Sequence, residues 1–304
     1  MGFQSKEDRQ KMPERGSLTI GRRRLAAELR RLRELANLTG DEVAERLGWS
    51  GSKVSRIELN RIGVKSGDLT KLLDLYEVGG THRADLLALA KAPRSKGWWE
   101  AYSDIVMPDY AAYIELEAEA EGALCWSVQL VHGLLQTEDY ARAVMESHVD
   151  WMPVTPSARL RRLVEVRMAR QRRLTGDRPL ALSVVLDQSV LLRNMGDKQV
   201  MRPQLEHLVN TSKLDNVTLR VLPLAGAHPL GTGSFTLLAF PAVLGIGPPA
   251  DVVYVEQLAR NEVYADEEAA AYEYRLAFDQ LMTESLEPEE SRELIARVAR
   301  ETWS

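Results

Sequence analysis

The chain has 304 residues, enough for two domains with a core each, and its 45% hydrophobic and 27% charged residues are those of an ordinary globular protein. Its longest apolar runs, such as Leu180 to Leu186, fall far short of a membrane span, and Met1 to Arg15 is polar and charged rather than a secretion signal, so a cytoplasmic protein is expected. One cysteine, Cys125, excludes a disulfide framework and a cysteine-based zinc site. The net charge of −5 conceals an asymmetry: residues 1–96 carry 20 Lys and Arg against 13 Asp and Glu, a net of +7, and residues 97–304 carry 19 against 31, a net of −12. A basic module joined to an acidic one suits a DNA reader with a separate regulatory body, because cation–phosphate contacts drive the affinity of such complexes.

Residues 1–16 mix both signs of charge without an apolar period and are expected as a flexible arm. From Arg22 to Ala36, Leu25, Leu29, Leu32 and Ala36 recur at helical spacing. The run Arg22-Arg23-Arg24 opens that helix, where cations oppose the helix dipole unless a phosphate backbone or solvent relieves them. Thr39 followed by Glu42 is a capping-box signature, so a second helix starts here, with Val43, Ala44 and Leu47 inward and Gly48 at its end. Ser50 is expected to cap a third helix that buries Val54 and Ile57. Its outward residues are then Ser52, Lys53, Ser55 and Arg56, all donors, with the chemistry for base edges and phosphates in a major groove. Ser66 is expected to cap a fourth helix with Leu69, Leu72, Leu73 and Tyr76 inward, and Thr81 to Lys91 makes a fifth on Leu86, Leu87 and Ala90. Residues 17–92 thus form an all-α, five-helix helix-turn-helix domain, followed by a linker over 93–108 built on Pro93-Arg-Ser-Lys-Gly97.

Beyond the linker the pattern turns mixed. Tyr110 to Leu124 reads as a helix with an acidic face of Glu115, Glu117, Glu119 and Glu121, and Trp126 to Val131 as a strand. Thr137 caps a helix, and Thr155-Pro156 opens a long one to about Leu174. Strands are expected at Leu180–Asp187, Thr218–Leu222, Ser234–Phe240 and Val252–Val255, with helices at about 198–213, 264–283 and 288–301. Residues 109–304 therefore read as a mixed α/β (α+β) domain, a single sheet covered by helices, for regulation and dimerisation.

Two resemblances follow from these residues. The order Leu38-Thr-x-x-Glu-Val-Ala-x-x-Leu-Gly-x-Ser-x-Ser-x-x-Ser-Arg-Ile-Glu58 resembles the xenobiotic-response-element (XRE) type of helix-turn-helix over residues 20–92. The resemblance implies DNA recognition by Ser52, Lys53, Ser55 and Arg56 beside Ser50, and phosphate contacts from Thr39 and the Asn60-Arg61 loop. Gly40 and Gly51 depart from it, standing where many members carry Gln. From about 110 to 300 the segments Tyr113-Ile-Glu-Leu-Glu-Ala, Gly133-Leu-Leu-Gln-Thr-Glu-Asp-Tyr-Ala-Arg142, Arg167-Met-Ala-Arg-Gln171, Gln204-Leu-Glu-His-Leu208, Val221-Leu-Pro223, Gly226-Ala-His-Pro229 and Asp251-Val-Val-Tyr-Val-Glu256 resemble the uncharacterised domain of the actinobacterial WhiJ-like regulators. That resemblance implies an antitoxin-like transcription regulator with a very small partner protein encoded nearby. His132 stands where that family usually has Pro, and Asp187-Gln188 where it usually has Glu-Ala.

An enzyme would need a site among His132, His148, His207, His228, Asp187, Asp251, Glu256 and Ser234 behind Gly231-Thr-Gly233. None stands at a metal-ligand spacing, and Gly-Thr-Gly-Ser lacks the context of a nucleophile elbow or phosphate loop. Asp187 and Asp251, each at a strand end, are the best pair for a metal, although Asp also collects there as a turn former. No cofactor, no metal and no catalytic residue are expected. The helix after Ser157 carries Arg159, Arg161, Arg162, Arg167, Arg170, Arg172 and Arg173 against Glu165 alone; the domain's acidic helix, an acidic protein, DNA and plain solvation each fit that excess. Trp98, Trp99, Trp126 and Trp151 are expected in the core. The function expected is a homodimeric, sequence-specific transcriptional regulator on a two-fold symmetric DNA site, with a repressor that senses a small molecule, or a DNA-tethered metal-dependent enzyme, as alternatives.

Overall fold

Leucines spaced three and four residues apart mark the first helix, and burying that stripe requires other helices to pack on it. The computed structural model describes residues 20–91, 97–149, 157–225, 233–242, 250–255, 262–264 and 268–304. The expected arm, Trp151, Thr155-Pro156, His228, the Gly-Thr pair at 231–232 and Glu256 lie outside them. The chain divides into two compact units, the second beginning near Gly97.

In the first unit α1 (Ile20–Leu35), α2 (Gly40–Leu47), α3 (Gly51–Glu58), α4 (Ser66–Leu75) and α5 (Gly80–Lys91) enclose one core. Leu29, Val43, Val54, Ile57, Leu69 and Leu86 are among its buried members. Arg23 and Arg24 are buried, so solvent does not relieve them. Ser66 is the first residue of α4 rather than its cap; the cap position is Lys65, and no side chain caps there. On α5, Leu86 is buried, Leu87 partly buried and the expected Ala90 exposed.

The second unit is a six-stranded sheet in the order β3-β2-β1-β4-β5-β6. Its strands are β1 (Gly122–Ser127), β2 (Ala181–Asp187), β3 (Val217–Leu222), β4 (Phe235–Ala239), β5 (Val252–Val255) and β6 (Glu262–Tyr264). β1, β2 and β3 run parallel, and the β4, β5 and β6 pairings are antiparallel. The helices are α6 (Pro108–Glu119), α7 (Glu138–Val149), α8 (Ser157–Arg170), α9 (Ser189–Leu192), α10 (Lys198–Thr211), α11 (Glu268–Glu284) and α12 (Pro288–Glu301). Trp126, Val185, Phe235, Leu237 and Val253 point to one face of the sheet, where Phe278 and Leu281 of α11 cover them. On the opposite face Tyr254 of β5 stacks on Tyr113 of α6 with ring centroids 4.0 Å apart. β3 is an edge strand, and the outward N–H and C=O of Val221 are taken by Ser291 Oγ at 2.9 Å and Leu286 N at 3.0 Å. The α11–α12 turn thus closes that edge to a foreign strand.

Several expectations are corrected. The chain is packed from Gly97 on, not linker to 108: a 3-10 turn over Trp98–Tyr102 buries Trp99 against Ile105, Val106, Ile114 and Val166. Trp98 itself is 37% exposed, contrary to the core assignment. α6 ends at Glu119, and β1 occupies 122–127 rather than 126–131. A central strand buried on both faces shows no alternation, so Ala123-Leu-Cys-Trp126 continues the apolar pattern of the helix before it. α8 ends at Arg170 and passes into a 3-10 turn over Gln171–Leu174. α9 and β6 were not expected.

The acidic face of α6 does not exist as such. At about 100° per residue, positions two apart point away from each other, and Glu115 and Glu117 are buried. Glu117 is the partner that the arginine helix needed. Arg170 Nε and Nη2 donate to its two carboxylate oxygens at 2.9 and 2.6 Å, Tyr113 Oη donates at 3.0 Å, and Arg170 Nη1 reaches Tyr110 Oη. The guanidinium also lies over the rings of Tyr110 and Tyr113, at 5.3 and 5.1 Å from their centroids. Burial alone would raise the Glu117 carboxyl, but the Arg170 charge and these hydrogen bonds outweigh it and hold the group below the usual carboxylate range. Four of the remaining arginines find other partners: Arg159 donates to the Ile105 carbonyl at 3.3 Å, Arg162 binds Asp104, Arg167 donates to Gln136 Oε1 at 2.9 Å, and Arg173 donates to the Ala120 carbonyl at 2.6 Å. Arg161 and Arg172 remain exposed.

Beside this pair the turn Gly133–Gln136 is fixed by three glutamines. Gln136 donates to Val131 O at 2.7 Å, Gln171 to Gln136 O at 2.6 Å and Gln204 to Leu135 O at 2.7 Å. Thr137 caps α7 as expected, its Oγ1 accepting from Tyr140 N at 3.3 Å. His132 is half-buried at the head of the turn, and desolvation, with the Arg170 charge second, pushes its imidazole down to about 4.

Two predictions follow from these groups. Glu117→Gln leaves Arg170 buried without its counter-charge and should cost about 3–5 kcal/mol in denaturant unfolding of the second unit, whereas Glu117→Gln with Arg170→Met should recover part of that loss. Equal stability of wild type and the single variant would remove the pair's structural role. His132 titrates lower in the folded than in the unfolded chain, so the unfolded state binds the extra proton below pH 6.5. Stability is therefore complete above that pH and falls as the pH drops toward 4, by about 2 kcal/mol between pH 7 and pH 5. In His132→Asn, which keeps an acceptor for the Leu134 N–H, urea midpoints should lose most of this slope; an unchanged slope would contradict it.

Candidate nucleic-acid interface

A helix of eight residues is marginal in water, so α2 and α3 hold their shape through their ends and the core beneath them. The capping box is complete: Thr39 Oγ1 accepts from Glu42 N at 3.2 Å, and Glu42 Oε2 accepts from Thr39 N at 2.7 Å. The Thr39 N–H, with the Thr39 hydroxyl donating to the same oxygen at 2.9 Å, holds the Glu42 carboxyl below its ordinary range. Gly48 ends α2 in the left-handed region, φ 65°, which a side chain would disfavour. Trp49 N then donates to Ala44 O at 2.8 Å and turns the chain into α3. The expected Ser50 cap is not made: Ser50 stands at the cap position, but its hydroxyl lies 3.5 Å from Ser52 Oγ and bonds no backbone N–H.

Val54 and Ile57 are buried, so the opposite side of α3 carries Ser52, Ser55 and Arg56, all exposed. Arg33 of α1 fixes how that side is presented, donating to both oxygens of Glu58 at 2.8 and 2.9 Å and to Leu38 O at 2.9 Å. Thr39, Ser50 and Arg61 are exposed as well, with the Thr39 hydroxyl engaged in its box. Two expected contacts turn elsewhere. Asn60 is buried in the left-handed conformation, φ 50°, in the loop after α3. Lys53 is not on the outward face: its ammonium is 2.9 Å from Asp68 Oδ2 and 3.7 Å from the centroid of the Trp49 ring. At about 100° per residue Lys53 lies only about 40° from Ile57, so the helical wheel could have shown this. Asp68 and the Arg33–Glu58 clamp were missed because their partners are remote in sequence, whereas the Lys53–Trp49 contact spans only four residues and the helical wheel held its signal.

Among the described residues weighed for catalysis, Asp187, Asp251, Ser234 and His207 each have a separate local partner. Asp187 closes β2 and its Oδ1 accepts from Ser189 N at 2.8 Å; Asp251 precedes β5 and binds Arg275. β5 runs in the direction of β2 through two antiparallel pairings, so these carboxylates lie at opposite ends of the sheet. Ser234 Oγ accepts from Val128 N at 3.1 Å, and half-buried His207 meets Thr211 one turn on at 3.3 Å. Among the described residues no group of three or more His, Cys, Asp and Glu could hold a metal ion, and no helix is long and apolar enough to cross a membrane.

Comparison with known proteins agrees with this division. A helix-turn-helix domain model matches residues 24–86, and the model of a domain of unknown function, DUF5753, matches residues 110–297. No curated protein and no solved structure matches the chain. The helix-turn-helix match supports a DNA-binding regulator in general terms. On this geometry Arg56→Ala should weaken duplex binding by about 1–3 kcal/mol if it reads a base, or uniformly across sequences if it meets phosphate. Binding unchanged in titrations of several duplexes would take Arg56 out of the interface.

Proposed function

The chain belongs to the DUF5753 family, whose model covers more than half of it, and from that premise we propose a sequence-specific, homodimeric transcriptional regulator of the antitoxin type. The observation that carries the reading is the exposed Ser52, Ser55 and Arg56 face of α3, backed by buried Val54 and Ile57 and clamped through Glu58. Two short hydroxyls and one guanidinium on a braced helix suit base edges and flanking phosphates in a major groove. The net of +7 over residues 1–96 supports phosphate attraction by the same half.

We read the second unit as regulatory, controlled by a small partner protein, and we assign the chain to the WhiJ-like actinobacterial group on the motifs quoted above. Cytoplasmic action follows from that reading. A regulatory rather than catalytic body is supported by the separation of Asp187 and Asp251 across the sheet. One helix-turn-helix module buries little surface, so tight binding calls for two modules held about one helical turn apart, the second engaging at an effective concentration that reaches millimolar. Residues 97–304 supply the dimer in this scheme.

The test is sedimentation of the intact chain and of its two halves, with binding titrations at two salt concentrations. Residues 97–304 should be dimeric without DNA affinity, residues 1–96 monomeric and weak, and the intact chain should prefer a two-fold site with steep salt dependence. A monomeric second half beside a tightly binding first half would contradict the proposal.

A further inference from the structure

Lys53 occupies the third position of α3, where a lysine could reach a phosphate or a base edge, yet two neighbouring elements hold its ammonium against the protein. Its ammonium sits 2.9 Å from Asp68 Oδ2 in the first turn of α4 and 3.7 Å above the Trp49 ring in the turn before α3. Only 29% of the Lys53 side chain and 20% of the Asp68 side chain are exposed. Asp68 is favoured at that place by the α4 dipole as well as by the lysine, because α4 has no side-chain cap. Moving Lys53 onto DNA would break an ion pair and a cation–π contact together and leave Asp68 facing the phosphates alone.

We propose that Asp68 is a positioning residue of the DNA-reading helix, holding Lys53 as a strut between α3 and α4 and keeping its charge off the DNA backbone. This rests on the reading of α3 as the DNA-reading helix. Each phosphate that a cation neutralises adds about 0.9 to the slope of log affinity against log salt, whatever the sequence. Withholding one lysine therefore lowers the sequence-independent part of binding and leaves recognition to Ser52, Ser55 and Arg56.

The experiment titrates the intact chain against a mixed-sequence duplex over a series of salt concentrations, comparing wild type, Lys53→Met, Asp68→Asn, Asp68→Glu and the double variant Lys53→Met/Asp68→Asn. Lys53→Met should keep the wild-type slope. Asp68→Asn frees the lysine, so binding at low salt should tighten several-fold and the slope should steepen by about 1. Asp68→Glu should restore the wild-type slope, and the double variant should return to it. A slope already reduced by about 1 in Lys53→Met would show that the lysine contacts phosphate in the wild type and would overturn the proposal. Steepening that persists in the double variant would overturn it too, by assigning the effect to the lost Asp68 charge alone. Thermal unfolding without DNA gives a separate arm: the single variants should lower Tm non-additively, and strict additivity would mean that the pair is not formed. Arg56→Ala on the same duplex separates the two failures, since binding equal to wild type there would defeat the reading of α3 itself.

Discussion

The second unit depends on one buried ion pair. Removing a carboxylate and a guanidinium from water costs several kcal/mol per ion, and only near-complete pairing offsets it. Glu117 and Arg170 reach that state because the arginine fork spans both carboxylate oxygens while Tyr113 donates to one of them and the two tyrosine rings lie beneath the cation. The geometry leaves α6 and α8 one way to cross. Tyr113 then carries the constraint to the sheet through its stack on Tyr254. Arg167 and Gln171, on the same stretch as Arg170, carry it to the Gly133–Gln136 turn, and Gln204 ties α10 to that turn.

The segments that resemble the WhiJ-like domain are largely those that meet at this pair: Tyr113 to Ala118, Gly133 to Arg142, Arg167 to Gln171 and Gln204 to Leu208. What they share is the support of a scaffold, a set of long polar side chains bonded to one another and to backbone. The first unit follows the same economy on a smaller scale. Its two short central helices are held by a capping box, a left-handed glycine, the Arg33–Glu58 fork and the Lys53–Asp68 strut, each linking residues that the core alone would leave free to rock.

The helix-turn-helix was legible because its signals are local: Thr39 with Glu42, Gly48, and the Val54–Ile57 spacing lie within twenty residues of one another. The helices expected at about 198–213, 264–283 and 288–301 were legible for the same reason, although Tyr264 belongs to β6 and α11 runs over Glu268–Glu284. Legibility failed where the deciding partner was far away. Nothing near Glu117 announces that Arg170 will bury it, so the helix read as an acidic surface. Nothing near Lys53 announces Asp68, and the lysine was placed with the outward residues. The α6–β1 boundary was lost because a strand buried on both faces has no alternation to distinguish it from apolar helix. The stretch from Gly97 to 108 read as linker because Pro93 to Gly97 dominates the composition at its start, although Trp99 itself was expected in the core and lies there.

A braced helix on a basic module is joined to an acidic body whose long polar side chains bond largely to one another and to backbone. The central claim is that α3 meets DNA through its outward face. Amide hydrogen exchange of the intact chain, with and without a duplex carrying its selected site, tests that claim most directly. The account predicts that added protection concentrates in residues 50–61, at α3 and the loop after it, with the 157–174 stretch unchanged. Protection confined to the arginine-rich 157–174 stretch, or none in α3 at saturating duplex, would contradict it.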